Sequence, residues 1–504
     1  MRPANCNFSL AGPYPPPTRR YFPIIRHTLI AVCLIHRTAF LFAQASSSTH
    51  TPGVAAEAAD YALVGAKIYP SPESAPIENG VVIVRNGKIT AVGTKDQVRI
   101  PGNLTTIDCR GEILTDAFWN CHVHFIEAKW QHARDIPVAQ FNSQMEDMLT
   151  SHGFAHAFDL ASLDFPNLLA LRNRINTGEV RGPVLYCVGV PFTPPNGSPF
   201  YIEPAKLPEI GDPREAKIYV KQQIDSGADG IKIWSASPAH KKIIDMPLDV
   251  AKAAVAAAHR LGKPVFAHPT NNEGAEIAID AGVDILAHVS PDDRKPWSDT
   301  MIRKMLRNHM ALIPTLKLYK WDIERLSGSS VNNSLILTAQ QQLFDYAKAG
   351  GQILFGTDVG YMTDYSTTDE FDGMAEAGLS FQQVLTALTT APAKRFGQSK
   401  HTGKVAVGMD ADLVLLAADP AGDFRSFSKV DYTICRGKFI YRVPISPHRS
   451  SSIDTLPSRH VSISGGSTAT YPVGDGSPIP GIAHTQKSTR LPAARPHLHR
   501  PVLW

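Results

Sequence analysis

The sequence predicts an α/β protein: a (β/α)8 TIM barrel joined to a small β-sandwich domain assembled from both chain ends. Three observations lead there. Strand and helix signals alternate between residues 115 and 398, about eight strands in all. Short β-prone runs of one texture flank that segment on both sides, at 61–114 and 399–444, so the segment between them is a closed unit whose ends lie close together. Finally, metal-compatible side chains fall at the C-terminal ends of the alternating strands, where barrel active sites are built.

At 504 residues, with 43% hydrophobic composition, the chain is long enough for one large domain and a smaller one. Its net charge of +4 is small, and no basic face or nucleic-acid-binding signature accompanies it, so a small-molecule substrate is expected and nucleic acid is not. Residues 1–45 contain five arginines and no acid, then apolar runs at 29–35 and 39–42, then Ala43-Gln44-Ala45. That order describes an export signal, and Thr18-Arg19-Arg20-Tyr21-Phe22 resembles a twin-arginine signal, so a periplasmic or extracellular location is expected, with the cytoplasm as the alternative. No later run is long enough to span a bilayer. Cys6 and Cys33 lie in this leader; Cys109, Cys121, Cys187 and Cys435 form no close pairs and no disulfide framework. Oligomeric state is left open.

Residues 46–60 read as a Ser/Thr/Ala linker. The flanking β-runs are 61–69, 80–85 and 89–92, with Asn86-Gly87 as a hairpin turn, and later 411–416 and 432–442, turning at Arg436-Gly437-Lys438. Between them, Asp212-Pro213 starts a helix that Gly227 ends, a helix over 248–261 stops at Gly262, and a third over 273–281 stops at Gly282. Strands are expected at 154–160, 184–190, 230–234, 264–268, 284–289, 311–318 and 352–357, besides the one carrying His122, and a further helix around 340–349. The tail, 445–504, has no periodic apolar face and is expected to be disordered.

The barrel segment opens on Phe118-Trp119-Asn120-Cys121-His122-Val123-His124-Phe125. Alternation along a strand points His122 and His124 one way and Cys121 and Val123 the other. Downstream strand ends add Lys232, His268, His288 and Asp358. Lys232 alternates with isoleucines in Gly230-Ile231-Lys232-Ile233-Trp234, which turns it into the barrel, where an unpaired ammonium is costly. Addition of CO2 to its amine would give a carbamate, an anion with two oxygens able to bridge two divalent ions. Tyr201, Trp234, Tyr319 and Tyr361, with Trp321, fall on or after strand ends and are candidates for the substrate pocket. Lys317 reads first as a solvated surface lysine, with a substrate carboxylate as its functional alternative.

These residues resemble the amidohydrolase superfamily, in its binuclear branch with a carboxylated lysine, near the imidazolonepropionase-like and prolidase-like members. The resemblance spans roughly residues 60 to 442. It includes Thr390-Ala391-Pro392-Ala393, similar to the family's last barrel helix, and Gly408-Met409-Asp410-Ala411-Asp412-Leu413-Val414, similar to its return into the β-sandwich. Where relatives usually carry Pro-Gly before the histidine motif, this chain has Asp116-Ala117, which removes no ligand. The resemblance implies two divalent metal ions, zinc foremost, with His122 and His124 on the more buried one, His268 and His288 on the other, carboxylated Lys232 as the bridge, and Asp358 as ligand and proton shuttle. It implies hydrolysis of a C–N bond in a cyclic amide, an N-acyl amino acid or a dipeptide-like substrate by metal-activated hydroxide. Lactone or phosphotriester hydrolysis on the same metal site is the alternative, and a non-catalytic scaffold the outsider.

Overall fold

The structure is a computed structural model that describes residues 60–240, 242–327 and 333–443. The expected export leader, nearly all of the linker and the expected disordered tail lie outside the described residues. No described helix is long and apolar enough to cross a membrane.

The two flanking β-regions do combine, into one mixed, hydrogen-bonded eight-stranded sheet, which does not confirm the expected sandwich. Strand Ile113–Asp116 is the joint. It runs parallel to Tyr61–Ile68 on one side and antiparallel to Leu413–Leu416 on the other, so the early and late parts of the chain are zipped by backbone bonds. Both expected hairpin turns form with two left-handed residues each, Asn86-Gly87 (φ 49° and 76°) and Arg436-Gly437 (φ 49° and 75°), the geometry that matches strand twist. The departure at Asp116-Ala117 has a structural use. Buried Asp116 accepts from Gly403 N (2.8 Å) and Thr402 Oγ1 (3.1 Å), tying the approach to the barrel to the returning chain.

Eight parallel strands follow: Phe118–Val123, Phe154–Asp159, Val184–Cys187, Ile231–Trp234, Val265–His268, Ile285–Leu286, Ala311–Leu312 and Gln352–Ile353. They give a TIM-barrel-type fold, yet not the single closed sheet expected. The first three form one sheet and the last five another. The seams carry isolated bridges, Val123 to Val359 and Phe192 to Ile233, with bonds such as Cys121 N to Phe355 O (2.8 Å) and Trp234 N to Phe192 O (3.1 Å). The sixth to eighth strands are only two residues long.

The interior is informative. One buried cluster combines Trp119, Phe158, Phe266, Ile285, Ala311 and Leu354 with further residues of these strands and their exits. The fourth strand contributes none. Its residue in register with Phe266 is Lys232, while Ile231 and Ile233 pack outward with Val265 and Ala267 in the cluster shared with the helices. The lysine therefore stands at an inward position that an apolar side chain would otherwise fill. In the first strand the regular alternation fails: the register slips between Asn120 and Val123, and Cys121 enters the interior cluster while Val123 joins the outer one.

Helix signals held where caps marked them. Asp212 accepts from Arg214 N (2.8 Å) and Glu215 N (3.0 Å) at the start of Pro213–Asp225. The expected strand over 311–318 is a correction: it ends at Leu312, and a helix, Leu316–Ser327, begins after a left-handed Thr315 (φ 48°). The cause is remote. Glu370, fully buried on helix Thr368–Glu376, accepts from Lys317 N (2.8 Å) and so supplies the acceptor for the new helix's first turn. The expected helix around 340–349 starts earlier, as Asn333–Lys348, and the strand expected over 352–357 is regular only through Ile353. A hairpin, Ala236–Ala239 with Lys242–Asp245, follows the fourth strand unannounced.

Burial raises the Glu370 carboxyl from an ordinary 4.5 to about 8, against the pull of the Lys317 and Leu316 N–H groups. A carboxyl raised on folding favours the folded state below its unfolded value; that advantage is lost as pH climbs from 4.5 toward 8. Glu370→Gln keeps an acceptor and removes the charge. Its melting temperature should therefore gain on wild type between about pH 5 and about pH 8.5. A gap that does not change with pH would show that Glu370 does not titrate between the two states.

Candidate metal centre and cavity

His122 leaves the first strand, His124 follows it, and Asp358 follows the eighth; one ligand atom from each comes together within a 4.8 Å cluster. His122 Nε2 is 3.2 Å and His124 Nε2 2.8 Å from Asp358 Oδ1. The local backbone explains the closeness. Asp358 is left-handed (φ 61°), a conformation that non-glycine residues adopt mostly where surrounding structure enforces it. Enforcement comes from Asp358 N bonding to His122 O and His124 N to Val359 O, both 2.8 Å. A Cβ on Gly360 would lie 1.8 Å from His124 O, and one on Gly356 would lie 2.9 Å from His122 Cβ, so the glycines on both sides of Asp358 permit the approach. Asn120 completes the clamp, donating to Thr357 Oγ1 (2.7 Å) and accepting from Thr357 N and His122 N (3.2 Å each).

Proton positions follow from the partners. His122 Nδ1 lies 3.0 Å from the Ala287 carbonyl, which can only accept, so Nδ1 carries the hydrogen and Nε2 presents a lone pair. His288 Nδ1 lies 2.7 Å from Thr315 Oγ1, whose own hydrogen goes to Pro314 O (2.8 Å), which again leaves the lone pair on Nε2. His124 Nδ1 is 3.4 Å from Ala161 O. Burial and the adjacent Lys232 hold His122 and His268 well below the usual imidazole range; burial and the neighbouring His268 do the same for His288. All three imidazoles are therefore held neutral.

This arrangement tests whether a divalent cation fits. Asp358 Oδ1 is buried without a hydrogen-bond partner, although two imidazole Nε2 atoms face it. With His122 neutral and its hydrogen on Nδ1, lone pair meets carboxylate, which a shared cation relieves. The residues therefore fit a divalent metal. Lys232 Nζ stands 3.2 Å from His122 Nε2. Burial pushes the lysine down from 10.5 to about 8, opposed by Asp358 and Asp159. His268 stacks on Trp234 (centroids 3.8 Å) and lies 4.6 Å, ring to ring, from His288, which is 4.7 Å from His122.

His124, Lys232, His268, His288 and Asp358 open onto one cavity of about 180 Å³, several times the space one water needs. Tyr201, Trp234, Tyr319 and Tyr361 all line it, as do Leu207 and Leu318. Tyr319 is a wall and no polar handle, since its hydroxyl donates to Val289 O (2.6 Å). Lys317 is neither solvated nor in the cavity: it is 1% exposed and donates to the carbonyls of Asp364 (2.7 Å) and Ser366. Sequence reasoning missed Asp159, at the end of the second strand. It is fully buried, accepts from Phe125 N (3.0 Å) directly after His124, and leaves Oδ1 without a partner. Only its place at a strand end could have signalled it.

The sequence model described as the amidohydrolase family matches residues 204–440. Ochratoxinase from Aspergillus niger is 23% identical over 399 residues, covering 70% of this chain and 80% of that protein. Its crystal structure superposes with a TM-score of 0.63 at 20% identity over 79% of this chain and 99% of that one. A structure described as a prolidase, from Bifidobacterium longum, gives 0.66 at 25% identity over 77% and 95%. Together these matches support the amidohydrolase superfamily for this chain. Within it, this protein is a hydrolase acting on carbon–nitrogen bonds.

Proposed function

We propose that the protein is a metal-dependent amidohydrolase whose substrate is a cyclic amide, an N-acyl amino acid or a dipeptide-like amide. The observation that carries this reading is Asp358 Oδ1, buried, without a hydrogen bond, and facing the Nε2 atoms of His122 and His124. In this reading His122, His124, His268, His288 and Asp358, with a carboxylated Lys232, would hold two zinc ions. Support for the carbamate is the inward, buried Lys232 whose amine is pushed down to about 8, since only the neutral amine adds CO2. When bound, divalent metal supplies Lewis acidity and lowers the pKa of water.

The chain's own residues do the rest. The Ala287 and Thr315 contacts fix the tautomers of His122 and His288, so their lone pairs need no reorganisation. Asp358 takes the proton released by the attacking water and returns it to the departing nitrogen, which leaves as an amine. Trp234, Tyr201, Tyr319 and Tyr361 bind the organic part of the substrate and exclude bulk water. The same reading takes the barrel as one functional ring over 115–398, the sheet domain as 61–114 with 399–444, and the leader as an export signal.

The test is a hydrolysis screen of metal-reconstituted protein over N-acyl amino acids, Xaa-Pro dipeptides, hydantoin-like rings, lactones and phosphotriesters. Turnover of an amide class with metal dependence is the expected result; turnover of lactones or phosphotriesters alone would replace this reading.

A further inference from the structure

Of the rings around the cavity, Tyr201 comes from a different kind of element. Trp234 sits on the fourth strand, Tyr319 on the helix Leu316–Ser327 and Tyr361 in the loop after the eighth strand, whereas Tyr201 rides on the long connection between the third and fourth strands, in a short turn Phe200–Ile202. From there its ring reaches across. The centroid lies 5.3 Å from that of Tyr361 and 6.3 Å from that of Trp234, and Trp234 in turn stacks on His268. Ile202 and Leu207 of the same connection also line the cavity. At 36% exposure, Tyr201 has solvent on one side and the cavity on the other.

The connection is tied down on the side away from the ligands. Glu203 Oε1 meets His240 Nε2 at 2.8 Å, and the His240 ring lies 5.7 Å from that of Phe200. Ser237 donates to Gly197 O. Ser237 and His240 both belong to the hairpin Ala236–Asp245 or its tip, so the hairpin that follows the fourth strand is the post to which this loop is fastened. Within the loop, Leu207 N donates to Ser198 Oγ (3.1 Å), which closes it on itself. Glu203 and His240 are exposed, with side chains 55% and 67% accessible, and such pairs add little to global stability. Their effect is local: they fix where residues 200–202 sit.

We propose that Tyr201 is the specificity-determining residue of this cavity, limiting the size of the substrate group that passes between Trp234 and Tyr361, with Glu203 and His240 as the positioning pair for its loop. This rests on the reading of the cavity as the substrate site. A flat, rigid ring bridging two others sets a steric limit, because an added ring must displace it or be refused. A side chain that is partly in solvent can be removed without leaving a closed internal void, so a variant at this position can fold.

The probes are acetohydroxamic, benzohydroxamic and 2-naphthohydroxamic acids, which share a metal-binding head and differ in the size of the tail. Their dissociation constants are measured by calorimetry on zinc-loaded full-length protein. Tyr201→Ala should improve the affinity of the naphthyl relative to the acetyl compound by about tenfold or more. Tyr201→Phe, which keeps the ring, should stay at the wild-type ratio, and Glu203→Gln should move the ratio in the direction of Tyr201→Ala by a smaller factor. A Tyr201→Ala protein that melts like wild type yet changes all three affinities equally, or none, overturns the proposal. So does failure of all three to bind either protein. If the ratio shifts but the screen finds no amide hydrolysis, the role of Tyr201 stands and the amide reading falls; amide hydrolysis with an unmoved ratio is the reverse.

Discussion

Asp358→Asn is expected to lower kcat on an amide by ~10²-fold or more, the scale for removing a general acid–base group, while the protein stays folded and keeps most of its metal. Fold retention follows from the backbone. Asp358 N bonds to His122 O through the main chain, and the side chain of asparagine has the same shape. The left-handed φ of 61° is also well tolerated, since Asn and Asp adopt that region more readily than other non-glycine residues. What changes is the ability to carry a proton. The loss should depend on the leaving group: a nitrophenolate departs without protonation and should suffer less, whereas an amine cannot leave until it is protonated. Parallel kinetics on an anilide-type amide and a nitrophenyl ester, with metal content measured on the same samples, decide the matter. Equal slowing of both at intact metal content would reduce Asp358 to a ligand.

Lys232→Ala should abolish most metal binding and lower activity by at least ~10²-fold, beyond the usual loss for groups that only support a ligand. The side chain fills an inward position level with Phe266 and contacts His122 Nε2 at 3.2 Å, so its removal leaves both a void and an unsupported imidazole. Two outcomes separate a structural lysine from a carboxylated one. A short-chain carboxylic acid added to Lys232→Ala should restore part of the metal and part of the activity by supplying the missing oxygens, and wild type reconstituted without CO2 should load slowly. One tightly bound ion per chain in wild type, retained in the variant, would eliminate the bridge.

Much of the site was legible because it obeys local rules. Period-two alternation beside Ile231 and Ile233 turned Lys232 inward, and Asp212 with Pro213 marked a helix start by its capping chemistry. The hairpin turns at Asn86-Gly87 and Arg436-Gly437 needed only their own two residues. What escaped depends on partners distant in the chain. Nothing near Lys317 announces that Glu370 will cap its helix, or that Asp364 and Ser366 will absorb its ammonium. Asp159 is one acid among many until Phe125 N lies against it. Alternation in the first strand failed for a related reason: a register slip between Asn120 and Val123 is a property of pairing with the second strand, invisible in either strand alone.

The clamp between Asn120 and Thr357 joins residues 237 positions apart, and it lies at the seam where the first parallel strand meets the last. On a ribosome adding about 5–20 residues per second, the two histidines emerge on the order of ten seconds or more before the aspartate that completes their cluster. Throughout that interval the nascent chain carries the histidines without the Asp358 carboxylate that faces them in the finished fold. The cluster is complete only when the eighth strand docks on the first.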